Sequence, residues 1–244
     1  MFDLTNKVAV VTGGASGIGA SCVEVLRSTG ATVAVWDLHQ VPGVIGTDVA
    51  DPAAVRRSAE IVLDAHGRVD LLVNCAGVIT QNLPAQDVDP ADFRRNFDVN
   101  VMGIVNSSQA LYSALAATGA GAIVNVASQA ALMCLPHQSA YSASKGAVAA
   151  LTRSLAIDWA GDNIRVNAVC PGFTLTPMAV QQMTPELNRA VSQRVPLGRM
   201  FQPEEIAQTI AFLGSSWASA VTGVVMPVDG GWTAGEPALP MGVE

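Results

Sequence analysis

Short apolar runs rich in β-branched residues alternate with longer segments of helical periodicity along nearly the whole chain. Such alternation is typical of βαβ units, in which parallel strands are joined by helices that pack on both faces of the sheet. The runs contain almost no polar residues, as strands buried on both faces require. The sequence therefore predicts an α/β fold with a doubly wound, parallel sheet of about seven strands.

The pattern predicts strands at residues 8–11, 32–36, 44–47, 71–74, 123–126, 165–169 and 224–228, and helices at residues 17–28, 52–66, 90–117, 139–160 and 203–213. The second and third strands are too close for a crossover helix, since a parallel connection normally takes about a dozen residues. We therefore expect a bare loop between them. The 244 residues contain no linker rich in Pro, Gly or Ser, which favours a single domain over residues 1–244.

The composition argues against several classes of function. A formal charge of −7 disfavours binding to nucleic acid or to an anionic membrane, because both need a basic footprint. We expect no signal peptide and no membrane span, since no apolar run reaches the ~18 residues required. The four cysteines are scattered among apolar residues, which predicts buried, reduced thiols in a cytoplasmic protein. The three histidines are equally scattered, so we expect no metal site.

A glycine-rich turn follows the first strand, in the segment VAVVTGGASGIG at residues 8–19. Glycine permits the positive φ of a tight turn and lets a phosphate approach the backbone. The helix that follows offers free N–H groups and about half a positive charge at its N-terminus. Such a turn is a weak signal alone, but this one joins a strand to a helix and is followed by an acid at position 37. That context is the Rossmann-like arrangement for binding a dinucleotide.

Asp37 closes the second strand, eighteen residues past Gly19. A carboxylate there can accept hydrogen bonds from the adenosine ribose hydroxyls, whereas a 2′-phosphate would meet like charge. No Arg or Lys lies in residues 38–43 or 14–16 to offset that charge, although His39 could carry a partial positive charge. The predicted cofactor is therefore NAD(H) and not NADP(H).

Tyr141 and Lys145 lie four residues apart in a helical segment of a chain that has only two lysines. Residues at this spacing share one face of a helix. A free tyrosine ionises near pH 10, and a nearby ammonium favours the phenolate. Together with a cationic nicotinamide, Lys145 could lower the pKa of Tyr141 enough for acid/base catalysis. Ser128 ends a predicted strand at the sheet edge where ligands bind, so its hydroxyl could donate to a substrate oxygen.

Several short motifs together resemble the short-chain dehydrogenase/reductase family over essentially the whole chain. They are TGGASGIG at 12–19, NCAG at 74–77, Asn100 in DVNVMG, Ser128, YSASK at 141–145, PG at 171–172 and VDGG at 228–231. The thirteen-residue step from Ser128 to Tyr141 also fits the family pattern. The resemblance implies an NAD-dependent oxidoreductase that interconverts a secondary alcohol and its ketone by hydride transfer, with Tyr141 as general acid/base.

The resemblance also implies a role for each matched position. The catalytic residues would be Asn100, which holds a water, and Ser128, Tyr141 and Lys145. Residues in contact with NAD would be Gly13, Ser16, Gly17, Ile18, Gly19, Asp37, Leu38, Asp48, Val49, Asn74, Ala76, Gly77, Tyr141, Lys145, Pro171, Gly172, Thr174 and Thr176. Residues in contact with substrate would be Ser128, Gln129, His137 and Tyr141. Cys75 departs from the family pattern, which has Asn there, and we interpret it as a packing residue.

The motifs do not name a substrate. Residues 173–202 carry apolar side chains at roughly helical spacing after the Pro-Gly turn, so we expect a flexible lid over a neutral, mostly hydrophobic alcohol or ketone. A dihydrodiol or a sugar is an alternative substrate. NADPH-dependent reduction of a 3-oxoacyl carrier protein is another alternative, although the chain lacks a basic docking patch near Ser128. A non-catalytic dinucleotide-binding scaffold would be expected to have lost Ser, Tyr or Lys.

Two helical segments, at residues 99–117 and 143–160, are apolar around most of their circumference. Helices of this kind are buried on more than one side. The sequence therefore predicts a homo-oligomer, with a tetramer as the expected form.

Overall fold

The computed structural model of the chain describes residues 3–39, 41–180 and 183–235. Within them, seven strands form one sheet: β1 (Val8–Thr12), β2 (Thr32–Asp37), β3 (Val44–Gly46), β4 (Leu71–Asn74), β5 (Gly121–Val126), β6 (Ile164–Pro171) and β7 (Val225–Val228). All neighbouring strands run parallel, in the order β3-β2-β1-β4-β5-β6-β7. The predicted doubly wound parallel sheet is therefore confirmed, with strand bounds that differ from the predicted ones by at most two residues.

Helices cover both faces of the sheet. They are α1 (Gly17–Ser28), α2 (Pro52–His66), α3 (Pro90–Phe97), α4 (Gly103–Ala117), α5 (Ser139–Asp158), α6 (Pro177–Val180), α7 (Pro185–Arg194) and α8 (Pro203–Gly214). On one face, Leu26 of α1 and Ile210 of α8 pack against Val11 of β1. On the other, α2, α4 and α5 pack against strand residues that include Val10 and the fully buried Trp36. Alternate residues of β1 thus enter two separate cores, which explains its uninterrupted apolar sequence.

The predicted helix at residues 90–117 is wrong as a single α-helix. It is divided into α3 and α4 by a π-helical turn at Asp98–Met102. Asn100 lies in this turn, fully buried, and its side chain bonds both the N–H and the carbonyl of Val78, at 2.8 and 2.9 Å. Both hydrogen bonds hold the side chain of Asn100 inside the protein at this widened turn, and such turns often occur at functional sites.

The loop after β2 has the form expected from the sequence, and the lid at residues 173–202 stays a prediction. None of the residues described between Asp37 and Val44 is helical, so the connection from β2 to β3 is the predicted bare loop. Residues 173–202, expected as a lid, carry the two short helices α6 and α7, each of which begins with proline. Thr184 caps α7 by accepting a hydrogen bond from the N–H of Leu187 at 3.1 Å.

The cysteines are less uniform than predicted. All four are unpaired, and Cys22 and Cys170 are buried as expected. The expectation is wrong for Cys134, which is exposed because it lies in the loop between β5 and α5, and Cys75 is only half-buried. Among the helices of the described ranges, not one has the length and apolar character needed to cross a bilayer.

Candidate active site

The crevice beside β1 and β4 is the point where the strand order reverses, and ligands of doubly wound sheets bind at such a point. The turns that follow these two strands are in close contact. Gly13 has φ +66°, and a Cβ there would lie 2.7 Å from the Cα of Ala76. The hydroxyl of Thr12 also accepts hydrogen bonds from the N–H groups of Cys75 and Ala76, both at 3.1 Å. The two turns therefore form one continuous floor to the crevice.

The glycine turn leaves room for an anion at the start of α1. Gly17 has φ +53°, and a Cβ at Gly19 would collide with the carbonyl oxygen of Gly13. Ser16, at the N-cap, makes no side-chain capping hydrogen bond. Neither a side chain on the turn nor a cap therefore occupies the first N–H groups of α1, and a helix N-terminus in this state suits a pyrophosphate. Ile18 lies within this first turn, as predicted.

Asp37 stands beside the glycine turn, with its side chain only 10% exposed. Its carboxylate accepts hydrogen bonds from the N–H groups of Ala15 and His39, at 3.0 and 2.9 Å, and contacts Nδ1 of His39 at 3.1 Å. Burial raises the pKa of Asp37, but these hydrogen bonds and the nearby His39 outweigh it, so the pKa lies below its usual value. Asp37 is therefore a fixed anion at neutral pH. The bond from Ala15 had no signal in the sequence.

The predicted adenine side of the crevice has an exposed loop on one side and a tightly packed segment on the other. Leu38 is 65% exposed in the bare loop after β2. Opposite it, Val49 is buried against α4, where a Cβ at Gly103 would lie 2.7 Å from Cγ2 of Val49. Asn106 donates to the Val49 carbonyl at 2.9 Å, and Asp48 accepts from the N–H of Ala50 at 2.9 Å. Asp48 and Val49 are thus held in place without a ligand.

Asn74 belongs to a buried polar network that joins two strands to two helices. It accepts from the hydroxyl of Ser107 at 2.6 Å and donates to Asn125 at 2.9 Å and Ser108 at 3.4 Å. Asn125 in turn donates to Thr152 of α5 at 3.0 Å. Since the side chain of Asn74 is fully engaged in this network, only its backbone is left for contact with a cofactor.

Asn100 connects the turn after β4 to α5. Besides holding Val78, its side-chain amide donates to the hydroxyl of Ser144 at 2.9 Å, and Ser144 donates to the carbonyl of Tyr141 at 2.7 Å. A Cβ at Gly77 would lie 3.2 Å from Oδ1 of Asn100 and 3.4 Å from Nζ of Lys145. Asn100 therefore positions the segment that carries the candidate acid/base. Its role in holding a water stays a prediction.

Tyr141 and Lys145 point to the same side of α5, with the Lys145 ammonium nitrogen 5.7 Å from the centroid of the Tyr141 ring. Lys145 is 4% exposed and donates to the carbonyl of Val126, at the end of β5, at 2.8 Å. Ser128 lies two residues further on and accepts from the N–H of Ala130 at 3.1 Å. The structure thus brings together the three side chains that the sequence predicts for proton transfer, at the carboxyl edge of the sheet.

The pKa values of this group differ from the expected direction. Burial raises the pKa of Tyr141 above its usual value, and the interaction with the Ser128 hydroxyl opposes that rise only in part. Burial lowers the pKa of Lys145 to about 8. The expectation of an acidified phenol is therefore not met in the protein alone, because desolvation of the phenolate outweighs the contacts that favour it. Tyr141 is a neutral phenol at pH 7 in this state.

The segment after β6 closes over the crevice. Gly172 donates to the carbonyl of Val228 at 3.0 Å, and Thr174 donates from its hydroxyl to the carbonyl of Gly172 at 2.9 Å. The methyl group of Thr176 lies 3.3 Å from the position that a Cβ on Gly17 would take. Pro171, Gly172, Thr174 and Thr176 therefore form a bridge from the sheet edge to the glycine turn, as a segment that covers a nicotinamide would.

The predicted substrate residues lie on the other side of Tyr141. Gln129 is buried directly after Ser128, and the exposed His137 lines a small pocket with Tyr141 and Ile79. Burial raises the pKa of Cys75 to about 12, which agrees with a packing role and leaves no thiolate. Within the described residues, no group of His, Cys, Asp and Glu could hold a metal ion. The positioning residues Thr12, Ser144 and Ser107 were missed. Thr12 is a polar residue at the end of an apolar run, whereas Ser107 and Ser144 lie among other polar residues and have no such signal.

Fold and site together define a dinucleotide-binding oxidoreductase. Residues 13–233 match a family model described as Enoyl-(Acyl carrier protein) reductase. The chain belongs to the short-chain dehydrogenase/reductase family, as the motifs predicted.

Curated relatives and solved structures agree with this membership. The chain is 37% identical to a cis-4-hydroxycyclohexanecarboxylate dehydrogenase of Sinomonas cyclohexanicum, over 93% of this chain and 97% of the relative. It is 34% identical to an NAD-dependent glycerol dehydrogenase of Listeria innocua serovar 6a, over 95% of this chain and 96% of the relative.

Among solved structures, gox2181 has a TM-score of 0.92 at 35% identity, covering 96% of this chain and 98% of its own. A 3-ketoacyl-(acyl-carrier-protein) reductase from Brucella melitensis complexed with NADH has a TM-score of 0.88 at 32% identity, covering 95% of this chain and 100% of its own. The chain is therefore an oxidoreductase, and its dehydrogenase relatives indicate alcohol–ketone interconversion as the class of reaction.

Proposed function

We propose that the protein is an NAD(H)-dependent dehydrogenase that interconverts a secondary alcohol and its ketone, with Tyr141 as general acid/base. The observation that carries the proposal is the position of Tyr141, which has Lys145 on the same side of α5 and Ser128 within reach of its phenol. This group faces the crevice whose floor is the glycine turn.

The crevice suits NAD(H) because each part of the cofactor has a matching group. The uncovered N–H groups of α1 would hold the pyrophosphate, and the Asp37 carboxylate would accept from the ribose hydroxyls. Lys145 would hold the nicotinamide ribose, and the bridge formed by residues 171–176 would cover the nicotinamide. The bound cofactor supplies the acceptor or donor of hydride and, when oxidised, a positive charge. The NAD-dependent relative and the structural neighbour complexed with NADH support the choice of NAD over NADP.

The residues around the substrate oxygen would move one proton. In ketone reduction, the Ser128 hydroxyl donates to the carbonyl oxygen and the neutral Tyr141 phenol gives its proton to the developing alkoxide. The Lys145 ammonium then stabilises the phenolate that is left. In alcohol oxidation, Tyr141 must first lose its proton, and burial makes that step harder at neutral pH. We therefore expect the rate of oxidation to rise with pH over the range in which the rate of reduction falls.

A 3-oxoacyl carrier protein reductase is the second candidate, favoured by similarity to the Brucella enzyme. An acidic carrier protein would need a basic surface near the mouth of the site. Arg94 and Arg95 are exposed on α3, but the same stretch of chain carries Asp89, Asp92 and Asp98. The docking surface is thus mixed in charge, which favours a small-molecule substrate over a carrier protein.

We also propose a single domain, a homo-oligomer and a cytoplasmic location for the protein. One sheet joins the N-terminal and C-terminal halves of the described chain, in agreement with a single domain whose lid spans residues 173–202. The exposed apolar side chains of Met102 and Ile157, in the π-turn and in α5, support a homo-oligomer, with a tetramer as its proposed form. The four unpaired cysteines agree with a cytoplasmic location. Light scattering of the purified protein tests the oligomeric state.

A panel of secondary alcohols assayed with NAD⁺ and with NADP⁺ tests the proposal, with formation of the reduced cofactor followed by absorbance. We expect turnover with at least one alcohol and a preference for NAD⁺. Faster turnover with NADP⁺ would contradict the role of Asp37. Cofactor binding without turnover of any alcohol or ketone would favour the non-catalytic scaffold instead.

A further inference from the structure

Gln129 occupies a position between the proton-transfer group and the nicotinamide-covering segment. It follows Ser128 directly and begins the 3₁₀ turn Gln129–Ala131. Its side chain reaches toward β6, because its Oε1 lies 3.3 Å from the position that a Cβ on Gly172 would take. A substrate whose reacting oxygen lies at Ser128 and Tyr141 would have the rest of its skeleton close to this amide.

The amide oxygen of Gln129 is buried and has no hydrogen-bond partner among residues 3–39, 41–180 and 183–235. Buried polar groups are nearly always paired, and an unpaired acceptor destabilises the folded state. Asn74, Asn100 and Asn125, the neighbouring buried amides of the sheet edge, all have partners for their oxygens or nitrogens. Gln129 differs from these three amides, and a bound molecule with a hydrogen-bond donor would give its oxygen a partner.

The region that we expect to cover the substrate is apolar. A cluster that we call the lid cluster packs under α7; its members are Met133, Leu135, Phe173, Met183, Val191, Val195, Met200, Phe201 and Trp232. The rings of Phe173 and Trp232 lie 5.3 Å apart. The indole N–H of Trp232 is also buried without a partner in the described part of the chain. The lid region thus offers much apolar area, and the buried side chains described there and at Gln129 contribute two unpaired polar atoms, Oε1 of Gln129 and Nε1 of Trp232.

We propose that Gln129 binds a second hydroxyl group of the substrate, and that the substrate is a diol or hydroxyketone with an otherwise apolar carbon skeleton. The inference rests on the proposed function, because the first oxygen is the one that reacts at Tyr141. A hydroxyl group fits because it can donate to Gln129 and also accept a hydrogen bond. A mono-alcohol would leave the amide unpaired. A fully hydroxylated chain would place several hydroxyls against the lid cluster, where the indole N–H of Trp232 is the one unpaired polar group among the described side chains.

Matched substrates and variants test this proposal. Cyclohexanol and the isomers of cyclohexane-1,2-diol and cyclohexane-1,3-diol are assayed with NAD⁺ for the wild type, Gln129→Leu and Gln208→Leu. The third protein is the control, because Gln208 is exposed on α8. We expect at least one diol to have a kcat/KM about tenfold or more above that of cyclohexanol in the wild type. Gln129→Leu should remove that advantage by lowering the ratio of diol to cyclohexanol kcat/KM to about one, and Gln208→Leu should leave both values and their ratio unchanged.

Thermal unfolding gives a readout that does not depend on turnover. Without ligand, Gln129→Leu should unfold at a higher temperature than the wild type, since it removes a buried unpaired acceptor. With NADH present, a diol should raise the unfolding temperature of the wild type more than that of the variant. An unchanged ratio of diol to cyclohexanol activity in Gln129→Leu, or equal stabilisation of both proteins by the diol, would overturn the role of Gln129 and leave the alcohol dehydrogenase proposal intact. Absence of turnover with every alcohol would instead remove the proposed function, and the thermal shifts would still decide the role of Gln129.

Discussion

The crevice has two halves of different character. In the cofactor half, made of the glycine turn, Asp37 and the Asn74 network, the side chains of Asp37 and Asn74 are paired and the backbone is fixed by close contacts. In the substrate half, made of Gln129, His137 and residues 173–202, buried polar atoms are unpaired and Leu197 and Met178 are exposed. The cofactor is the same in every turnover, so its half of the crevice can be fully preformed. The substrate half keeps unpaired polar atoms, which a bound substrate would pair.

The largest effect is expected for Tyr141→Phe, because Tyr141 lies where the cofactor half meets the substrate half. This change removes the proton-transfer group without altering the cofactor half, so kcat should fall by at least about 10²-fold while NADH still binds. Steady-state absorbance and NADH fluorescence measure the two quantities. Tyr112→Phe is the matched control, since the hydroxyl of Tyr112 bonds Asp162 at 2.7 Å on the surface. Near-normal turnover of Tyr141→Phe would remove the residue from the mechanism.

Asp37→Ala is expected to damage the cofactor half alone. Loss of hydrogen bonds to a charged group should lower kcat/KM for NAD⁺ by roughly 10- to 100-fold. The value for NADP⁺ should fall less or rise, because the like charge near a 2′-phosphate is gone. Asp64→Ala removes the same charge from an exposed site on α2 and is the control. Equal losses for both cofactors would show that Asp37 supports the turn without choosing the cofactor.

Lys145→Met tests how much the buried Lys145 ammonium destabilises the folded protein, separately from its role in catalysis. Burial holds the pKa of Lys145 at about 8 in the folded protein, against 10.5 for the ordinary side chain. Below pH 8 the folded state therefore contains a buried, charged ammonium, and the free energy of its desolvation fully lowers the stability of the fold. Between pH 8 and 10.5 that ammonium has lost its proton while the unfolded chain still binds one, so the stability of the wild type rises with pH in this window.

The variant should lack this rise. The quantity to measure by urea unfolding is the free energy of unfolding of Lys145→Met minus that of the wild type. This difference should be about 1–3 kcal/mol more favourable to the variant at pH 7 than at pH 10. The lost bond to the Val126 carbonyl lowers the stability of the variant at both pH values, so the test is the change between pH 7 and pH 10 and not the difference at either pH alone. A difference between the two proteins that does not vary with pH would contradict the buried, destabilised ammonium.

The smallest effect is expected for Cys75→Ser. Because burial holds the pKa of Cys75 at about 12, the side chain is a thiol throughout the working range and takes no part in catalysis. Activity should stay within about twofold of the wild type. Iodoacetamide at neutral pH should modify the exposed Cys134 first, without loss of activity, which mass spectrometry and a parallel assay can establish. Loss of activity on alkylation of Cys75 would reverse this interpretation.

Much of the cofactor half could be predicted because its signals are local in the sequence. The glycine turn lies within one strand–helix unit, and Asp37 follows from the end of the next strand. The π-turn was missed because the partner of Asn100 is Val78, twenty-two residues away, and nothing in the apolar pattern reports it. The direction of the Tyr141 pKa was also missed, since burial of a helical side chain depends on elements that pack around it and not on its neighbour one turn away.

The Asn74 network has a consequence for how such chains diverge. Its members Asn74, Ser107, Asn125 and Thr152 are all buried, and each is linked to another member by a hydrogen bond. Replacement of one member by an apolar residue leaves the polar groups of its neighbours buried without hydrogen-bond partners. Simultaneous replacement of the whole set does not. In related proteins these four positions should therefore change together, and a single substitution at one of them should be tolerated less often than a substitution in the lid.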